Sequence, residues 1–316
     1  GEMKIRLGLV ALGLFTSLSS AVAADVAVPV YKAAPPAPPA VNWTGFYVGG
    51  NVGYGWGNGK TDLRANGGNI TFPTDDRILN SNVVALSTNP RTRLSGLTAG
   101  VQAGYNWSVG RILLLGIEAD ISALNQHNNA NVIAPIHSGV CTATSFGICS
   151  HISPMVGTLS ANVQTSIDWT GTVRGRIGLR PSELMLLYAT GGLAYGKVRA
   201  SGNIQGSSLL PDFNGLIRWS GDNVFGSSAV KYGYALGGGI EGKLAAATNW
   251  SWKFEYLYVD LGSIASGNNI FFGSSYIGIT GIAGSVATHT RFSENMLRAG
   301  LNYTFDWGKA PVIARY

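Results

Sequence analysis

Eight stretches of this chain alternate bulky apolar residues with small or polar ones, and the connections between them alternate strictly between long and short. Drawn from the alternation alone, those connections run roughly 40, 4, 41, 3, 32, 5 and 34 residues. A period of two is a strand period, because successive side chains leave a strand on opposite faces. Tight turns at one end and long connections at the other are what antiparallel outer-membrane barrels show; a soluble sandwich has no reason for that bias. The spacing therefore predicts an all-β chain, an eight-stranded antiparallel up-and-down transmembrane β-barrel. Four long external loops are expected at 58–93, 125–165, 199–230 and 263–291, and both chain ends leave on the short-turn side.

The first stretch, WTGFYVGGNVGYGW (43–56), shows the pattern at its clearest. Thr44, Phe46, Val48, Gly50, Val52, Tyr54 and Trp56 share one parity, and Gly45, Tyr47, Gly49, Asn51, Gly53 and Gly55 share the other. The same split recurs in 97–107, 112–124, 166–180, 231–244, 250–261 and 296–305, while 184–198 is apolar on both parities at its start.

Period alone does not say which face is inside; space and charge do. Only 12% of the residues are charged, against about a quarter in a soluble domain. The apolar parity carries most of the Trp, Tyr, Phe, Leu, Ile and Val. An eight-stranded barrel has room inside for ordinary side chains only, so these aromatics would overfill it. The other parity mixes Gly, Thr and Asn with a nearly balanced set of charges: Glu118, Asp120, Asp168, Glu241 and Glu255 against Arg174, Arg176, Arg180, Lys243, Lys253 and Arg298. Near-neutrality suits a closed lumen, where unpaired charge is costly. Glycines on that parity leave room for the long charged side chains. The outward aromatics Phe46, Tyr54, Trp56, Tyr105, Trp107, Trp252, Tyr303 and Phe305 are read as girdles at the two membrane interfaces. Ten residues from Phe46 to Trp56, at about 3.3 Å each and tilted roughly 40°, project to about 25 Å, the height of an apolar band.

Ahead of the first strand, Lys4 and Arg6, the apolar run LGLVALGLF (7–15) and Ala21-Val22-Ala23 read as a signal peptide over 1–23. Residues 24–41, with five prolines in VPVYKAAPPAPPAV, read as an extended periplasmic linker, and 42–316 as the barrel. No apolar run of 18 or more residues occurs, so no helical span is expected. The net charge of +6 is spread without a basic run, which argues against nucleic acid. Cys141 and Cys149, within CTATSFGIC of an exported chain, are expected to form a disulfide. His137, Cys141, Cys149 and His151 can also be written as a zinc set, but an oxidising compartment and an irregular loop favour the disulfide. His127, His137, His151 and His289 all fall in expected loops, and no Ser/His or Asp/His arrangement falls within a strand. No catalytic residue, metal or cofactor is expected.

NWTGFYVGGNVGYGWG near the mature N-terminus, LLYATGGLAYG (186–196), NWSWKFEYLYVDLG (249–262) and LRAGLNYTFDW (297–307) resemble the porin-like outer-membrane immunogenic protein family of Gram-negative bacteria. The resemblance runs over nearly the whole chain. It implies an eight-stranded barrel of the OmpA type, located in the cell outer membrane as an abundant envelope constituent; some members are called porins and some surface antigens. It implies no shared catalytic residues. The chain departs from the common ending on an aromatic strand residue, because Phe305 is followed by DWGKAPVIARY. The expectation is a structural, surface-exposed envelope protein with at most a narrow pore, the alternative being ligand recognition by the loops. Expected partners are outer-membrane lipids and lipopolysaccharide and the barrel-assembly machinery, with peptidoglycan and host or phage surfaces as further candidates.

Overall fold

The structure, a computed structural model, describes residues 41–72, 77–145, 148–212, 215–245, 249–274 and 282–305. The expected signal peptide, nearly all of the linker and the tail after Phe305 lie outside them. Among the described residues there are nine strands: β1 (Gly45–Phe72), β2 (Arg77–Thr88), β3 (Arg91–Val109), β4 (Leu113–Ser145), β5 (Ile148–Ser182), β6 (Met185–Asp212), β7 (Gly215–Lys243), β8 (Trp250–Ser274) and β9 (Ile282–Thr304). They pair antiparallel in the order β2-β1-β3-β4-β5-β6-β7-β8-β9, and β1 also pairs with β9. That last ladder, from Tyr47↔Thr304 to Ile70↔Ile282, closes the sheet on itself, and at the level of Tyr47–Gly53 it leaves no free edge.

The ninth strand is a break within an expected one. β2 runs beside β1 down to Leu63↔Thr88, and β3 takes over at Lys60↔Arg91. Between them stand Asn89 and Pro90; proline has no N–H for the ladder, and only its carbonyl takes part, accepting from the Thr61 N–H at 3.1 Å. Leaving β2 out, the closed circuit has eight members (nine less one).

The four expected loops are corrected by the structure: they are mostly sheet. β4 and β5 keep pairing as far as Ser145↔Ile148, and β6 and β7 as far as Asp212↔Gly215. Asn, Ser, Thr and Gly misled the sequence reading because those residues usually mark connectors. Here they form the outward parity of strands whose inward parity is apolar. On β1 above Trp56, Asn58, Lys60, Asp62 and Arg64 are exposed while Leu63 and Ala65 are fully buried.

Below that level the polarity is reversed. Val52, Leu97, Val101, Ile117, Val173, Leu193 and Leu236 project outward from the wall, with Leu97 72% exposed. An exposed apolar band of this extent is a surface made for lipid. Aromatic rings border it. At the short-turn side Phe46 lies 5.8 Å from Phe305, Trp250 5.2 Å from Tyr303 and Tyr105 4.8 Å from Trp107. At the other side Trp56 lies 6.4 Å from Tyr256 and Tyr234 6.1 Å from Tyr258.

Two strands change parity at bulges as they leave the band. On β5 the register shifts between Ile167 and Trp169, so Thr170, Thr172, Arg174 and Arg176 face inward below and Ile167, Thr165 and Val163 above. On β8 the shift lies between Asp260 and Gly262, where Gly262 has φ 73°, a left-handed value that suits glycine. Its N–H donates to Asp260 Oδ1 at 2.8 Å. The β7–β8 ladder also parts there, resuming only at Ser220↔Gly273. Asn223 spans the gap, its side chain accepting from the Phe271 N–H and donating to the Phe271 carbonyl, both at 2.9 Å.

Candidate functional site

The lumen is filled in three layers, each set by what the inward parity supplies. The floor, at the short-turn side, is Trp43 packed with Leu114, Leu186 and Tyr188. Trp43 Nε1 donates to the Glu183 carbonyl at 2.9 Å, and Lys243 Nζ stands 5.1 Å above its ring.

The middle layer holds the charges. Arg174 on β5 reaches Glu118 at 2.7 Å, Asp120 at 2.8 Å and Glu255 at 3.0 Å. Arg176, two residues on, reaches Glu241 at 2.7 Å and Glu118 at 3.4 Å. Lys253 donates to Glu118 at 3.0 Å, and Arg298 pairs with Asp120 at 3.1 Å and with Glu255, its register partner across β8–β9. Four carboxylates thus face four cations, and every one of the eight is at least 95% buried. Burying isolated charge costs several kcal/mol per ion, so the set is tolerable only because each member has partners.

Neutral groups complete the layer. The Tyr47 hydroxyl donates to Glu118 Oε2 at 2.7 Å and accepts from Arg176 at the same distance. Tyr188 donates to Glu255 at 3.1 Å, and its ring lies 4.0 Å beneath the Arg176 guanidinium. Asn51 donates to Gln102 at 2.8 Å, Gln102 to Asn302 at 2.6 Å, and Asn302 to Glu241 at 3.0 Å, a relay across β1, β3, β9 and β7. Gly104 is required here: a Cβ at that position would run into the Tyr47 hydroxyl.

Above the charges the lumen turns apolar. Leu94, Leu124, Ile167, Val198, Leu257, Val259, Phe292 and Met296 form one buried cluster. Higher still, Leu63, Met155, Leu159, Val163, Ile204, Trp219, Phe225 and Phe272 form another. Glu294, bonded to Gln126, marks the boundary between the charges and this apolar fill.

The outer membrane protein beta-barrel domain model matches residues 11–305. The chain belongs to this family. It is an outer-membrane protein, and the apolar band between its aromatic rings is the part that lipid covers. Among its relatives, the 31 kDa outer-membrane immunogenic protein of Brucella melitensis is 33% identical over 290 residues, covering 91% of this chain and 94% of that one. The 22 kDa outer membrane protein of Rhizobium leguminosarum is 27% identical over 225 residues, 71% of this chain and 67% of that one. Among solved structures, Ail, the attachment invasion locus protein of Yersinia pestis, aligns over 80% of this chain and 99% of its own with a TM-score of 0.26 at 12% identity.

Within this family barrel, the charges singled out from the sequence come together except for three. Arg180 lies at the short-turn side and donates to the Gly110 carbonyl at 2.7 Å. Asp168 sits at the β5 bulge, which turns it out of the lumen; it is part-exposed and pairs with Arg199 at 2.9 Å. Lys243 is buried near the floor, donating to Thr304 Oγ1 at 3.1 Å, apart from the network. Of the girdle residues, Trp252 is corrected: it shares a row with Leu301 and Gly50, inside the band rather than at its edge. Phe46, Tyr105, Trp107, Tyr303 and Phe305 gather at the lower edge, and Tyr54 and Trp56 at the upper. The side chains of Cys141, Cys149 and His151 lie outside the described residues; the backbone of both cysteines is sheet, near the end of the β4–β5 pair.

Sequence reasoning missed Tyr47 and Tyr188 as lumen groups. The signal for Tyr47 was present, since it is the one aromatic on the small, polar parity of its strand. Tyr188 had none, lying where both parities are apolar.

Proposed function

We propose that the protein is a sealed envelope barrel, a structural and surface-exposed constituent of the outer membrane with at most a narrow, intermittent path for solute. The observation that carries this reading is the eight-membered ion network across the lumen, closed below by Trp43 and above by Phe292, Met296 and Leu257. Water-filled channels come with about 16–18 strands, whereas a lumen of this size is filled by its own side chains. The name of its Brucella relative, an immunogenic outer-membrane protein, fits display on the cell surface. The reading gives the protein no catalytic role, metal or cofactor. Its partners are outer-membrane lipids and lipopolysaccharide, the machinery that inserts it, and peptidoglycan beneath the linker. Planar-bilayer recording on the refolded full chain tests it: no steady current, or small flickering steps, are expected. Large uniform conductance from the single barrel overturns it.

A second reading is recognition of host or phage surfaces by the far ends of the strand pairs. It is supported by how far β4–β5 and β6–β7 extend beyond Trp169 and Tyr195 with polar outward rows. Binding of labelled cells or phage, with and without the tip segments 138–152 and 210–216, separates the two readings.

A further inference from the structure

Three cations lie side by side on the outer wall just beyond the upper aromatic ring. The register sets Lys60 on β1 directly opposite Arg91 on β3 and Arg291 on β9. One pleat nearer the ring, Arg93 stands opposite Asn58. All four cations are exposed and on the outward parity. Like charges directly opposite each other across a ladder destabilise it, so such a row needs a reason. Two carboxylates face it. Asp260 is committed to Arg291 at 2.7 Å, holding that guanidinium above the ordinary arginine value through their hydrogen bond. Asp62 is the next outward residue on β1. Among the described residues no carboxylate lies within ion-pair distance of Lys60, Arg91 or Arg93.

The height of the row identifies what it faces. Arg93 and Lys60 stand two and four residues beyond the level of Trp56, which at about 3.3 Å per residue and roughly 40° of tilt is about 5–10 Å. An interfacial Trp sits at headgroup level, and the headgroup zone adds about 5–8 Å to each side of the hydrocarbon. The wall below the row is lipid-facing: Tyr54, Trp56 and Leu97, all exposed. At the lower aromatic ring the outward residues are Thr44, Val109 and Phe305, and among the described residues the one exposed cation beyond them is Arg111, in the turn after β3. The asymmetry matches one leaflet.

We propose that Lys60, Arg91 and Arg93, with Arg291 at their flank, bind the phosphate groups of a phosphorylated glycolipid in the outer leaflet, its acyl chains lying on the wall beneath. Neighbouring strands are about 4.8 Å apart, so long side chains from two or three of them reach one phosphate, and guanidinium offers it two parallel donors. Tyr54 and Trp56 support the sugar and upper acyl segments. The assignment rests on the barrel's place in the outer membrane and is independent of whether the lumen conducts.

The test uses the full chain refolded in neutral detergent and follows the temperature at which it loses its compact gel migration. Four additives are titrated: lipid A with both phosphates, the same lipid with its phosphates removed, inositol hexakisphosphate as a free polyphosphate, and heparin as a soluble polyanion. The bisphosphorylated lipid should raise that temperature and bind tightest. Lys60→Gln, Arg91→Gln and Arg93→Gln should each weaken it about fivefold, and all three together on the order of a hundredfold. Lys231→Gln, on β7 and so next to neither β1 nor β3, should leave it unchanged. If the triple variant does not fold, the single variants decide. Equal binding of the phosphate-free lipid, equal binding of either soluble polyanion, or unchanged binding by the single variants overturns the proposal.

Discussion

The same strands that line the membrane-height part of the barrel also build the part beyond the upper aromatic ring, yet the two parts are inside out relative to each other. At membrane height charges are inside and leucines outside: Arg174 and Arg298 are 1% exposed while Leu193 is 70% exposed. Above the ring, Phe292 and Leu63 are fully buried and Lys60, Arg64 and Arg93 are exposed. Antiparallel pairing continues from one part into the other on β1–β9, β4–β5, β5–β6, β6–β7 and β8–β9, so backbone hydrogen bonding is not the main thing that differs. The medium outside differs. Lipid takes apolar side chains and forces polar ones into the lumen, where they must pair; water takes polar ones and leaves the lumen to close by apolar burial.

Breaking the charged layer should have the largest effect. Arg174→Leu leaves Glu118, Asp120 and Glu255 short of a partner, and the barrel should lose about 3–5 kcal/mol, read as a lower urea midpoint for refolded protein in lipid. The counterpart above the ring is Phe292→Ala, a cavity in an apolar fill, expected to cost about 3–4 kcal/mol in the same titration. Near-zero cost there would mean that the upper lumen is not packed, and the contrast would collapse.

The outer faces give a sharper version. Leu301→Arg, on the lipid face level with Gly50 and so between Phe46 and Trp56 on β1, should cost about 2–4 kcal/mol. Harmless Leu301→Arg beside a severe Thr304 substitution would invert the assignment of faces. At the far end, the proposed Cys141–Cys149 bond should be recovered as a linked peptide by mass mapping without reduction. Its removal should cost about 2–3 kcal/mol at most for so short a loop; free thiols on both residues would sink it. The smallest effect is expected for Ile133→Arg, outward on β4 above the ring and 74% exposed. Within about 0.5 kcal/mol is anticipated, against several for the same kind of change at Leu301. Similar costs at the two sites would mean that lipid reaches the upper wall as well.

Much of this was legible in residue order. The period of two, the alternation of short and long connections, and the balance of Glu118, Asp120, Glu241 and Glu255 against Arg174, Arg176, Lys253 and Arg298 point to a closed barrel with a charged lumen. They do so because strand geometry ties parity to face, and a lumen cannot hold unpaired charge. Tertiary structure decided the rest. Which carboxylate meets which guanidinium depends on register around the ring, so Glu118 collects Arg174, Arg176 and Lys253 from two other strands. The bulges at Asp168 and Gly262 each insert one residue and flip every side chain beyond, which put Asp168 outside against expectation. The upper strands were hidden because Asn, Ser and Thr serve a water-facing wall as well as a loop. Only pairing with a neighbour, a contact between residues far apart in the chain, distinguishes the two. Residue order determined that this chain makes a membrane barrel; the closed ladder determined where the membrane part ends and how its interior is held shut.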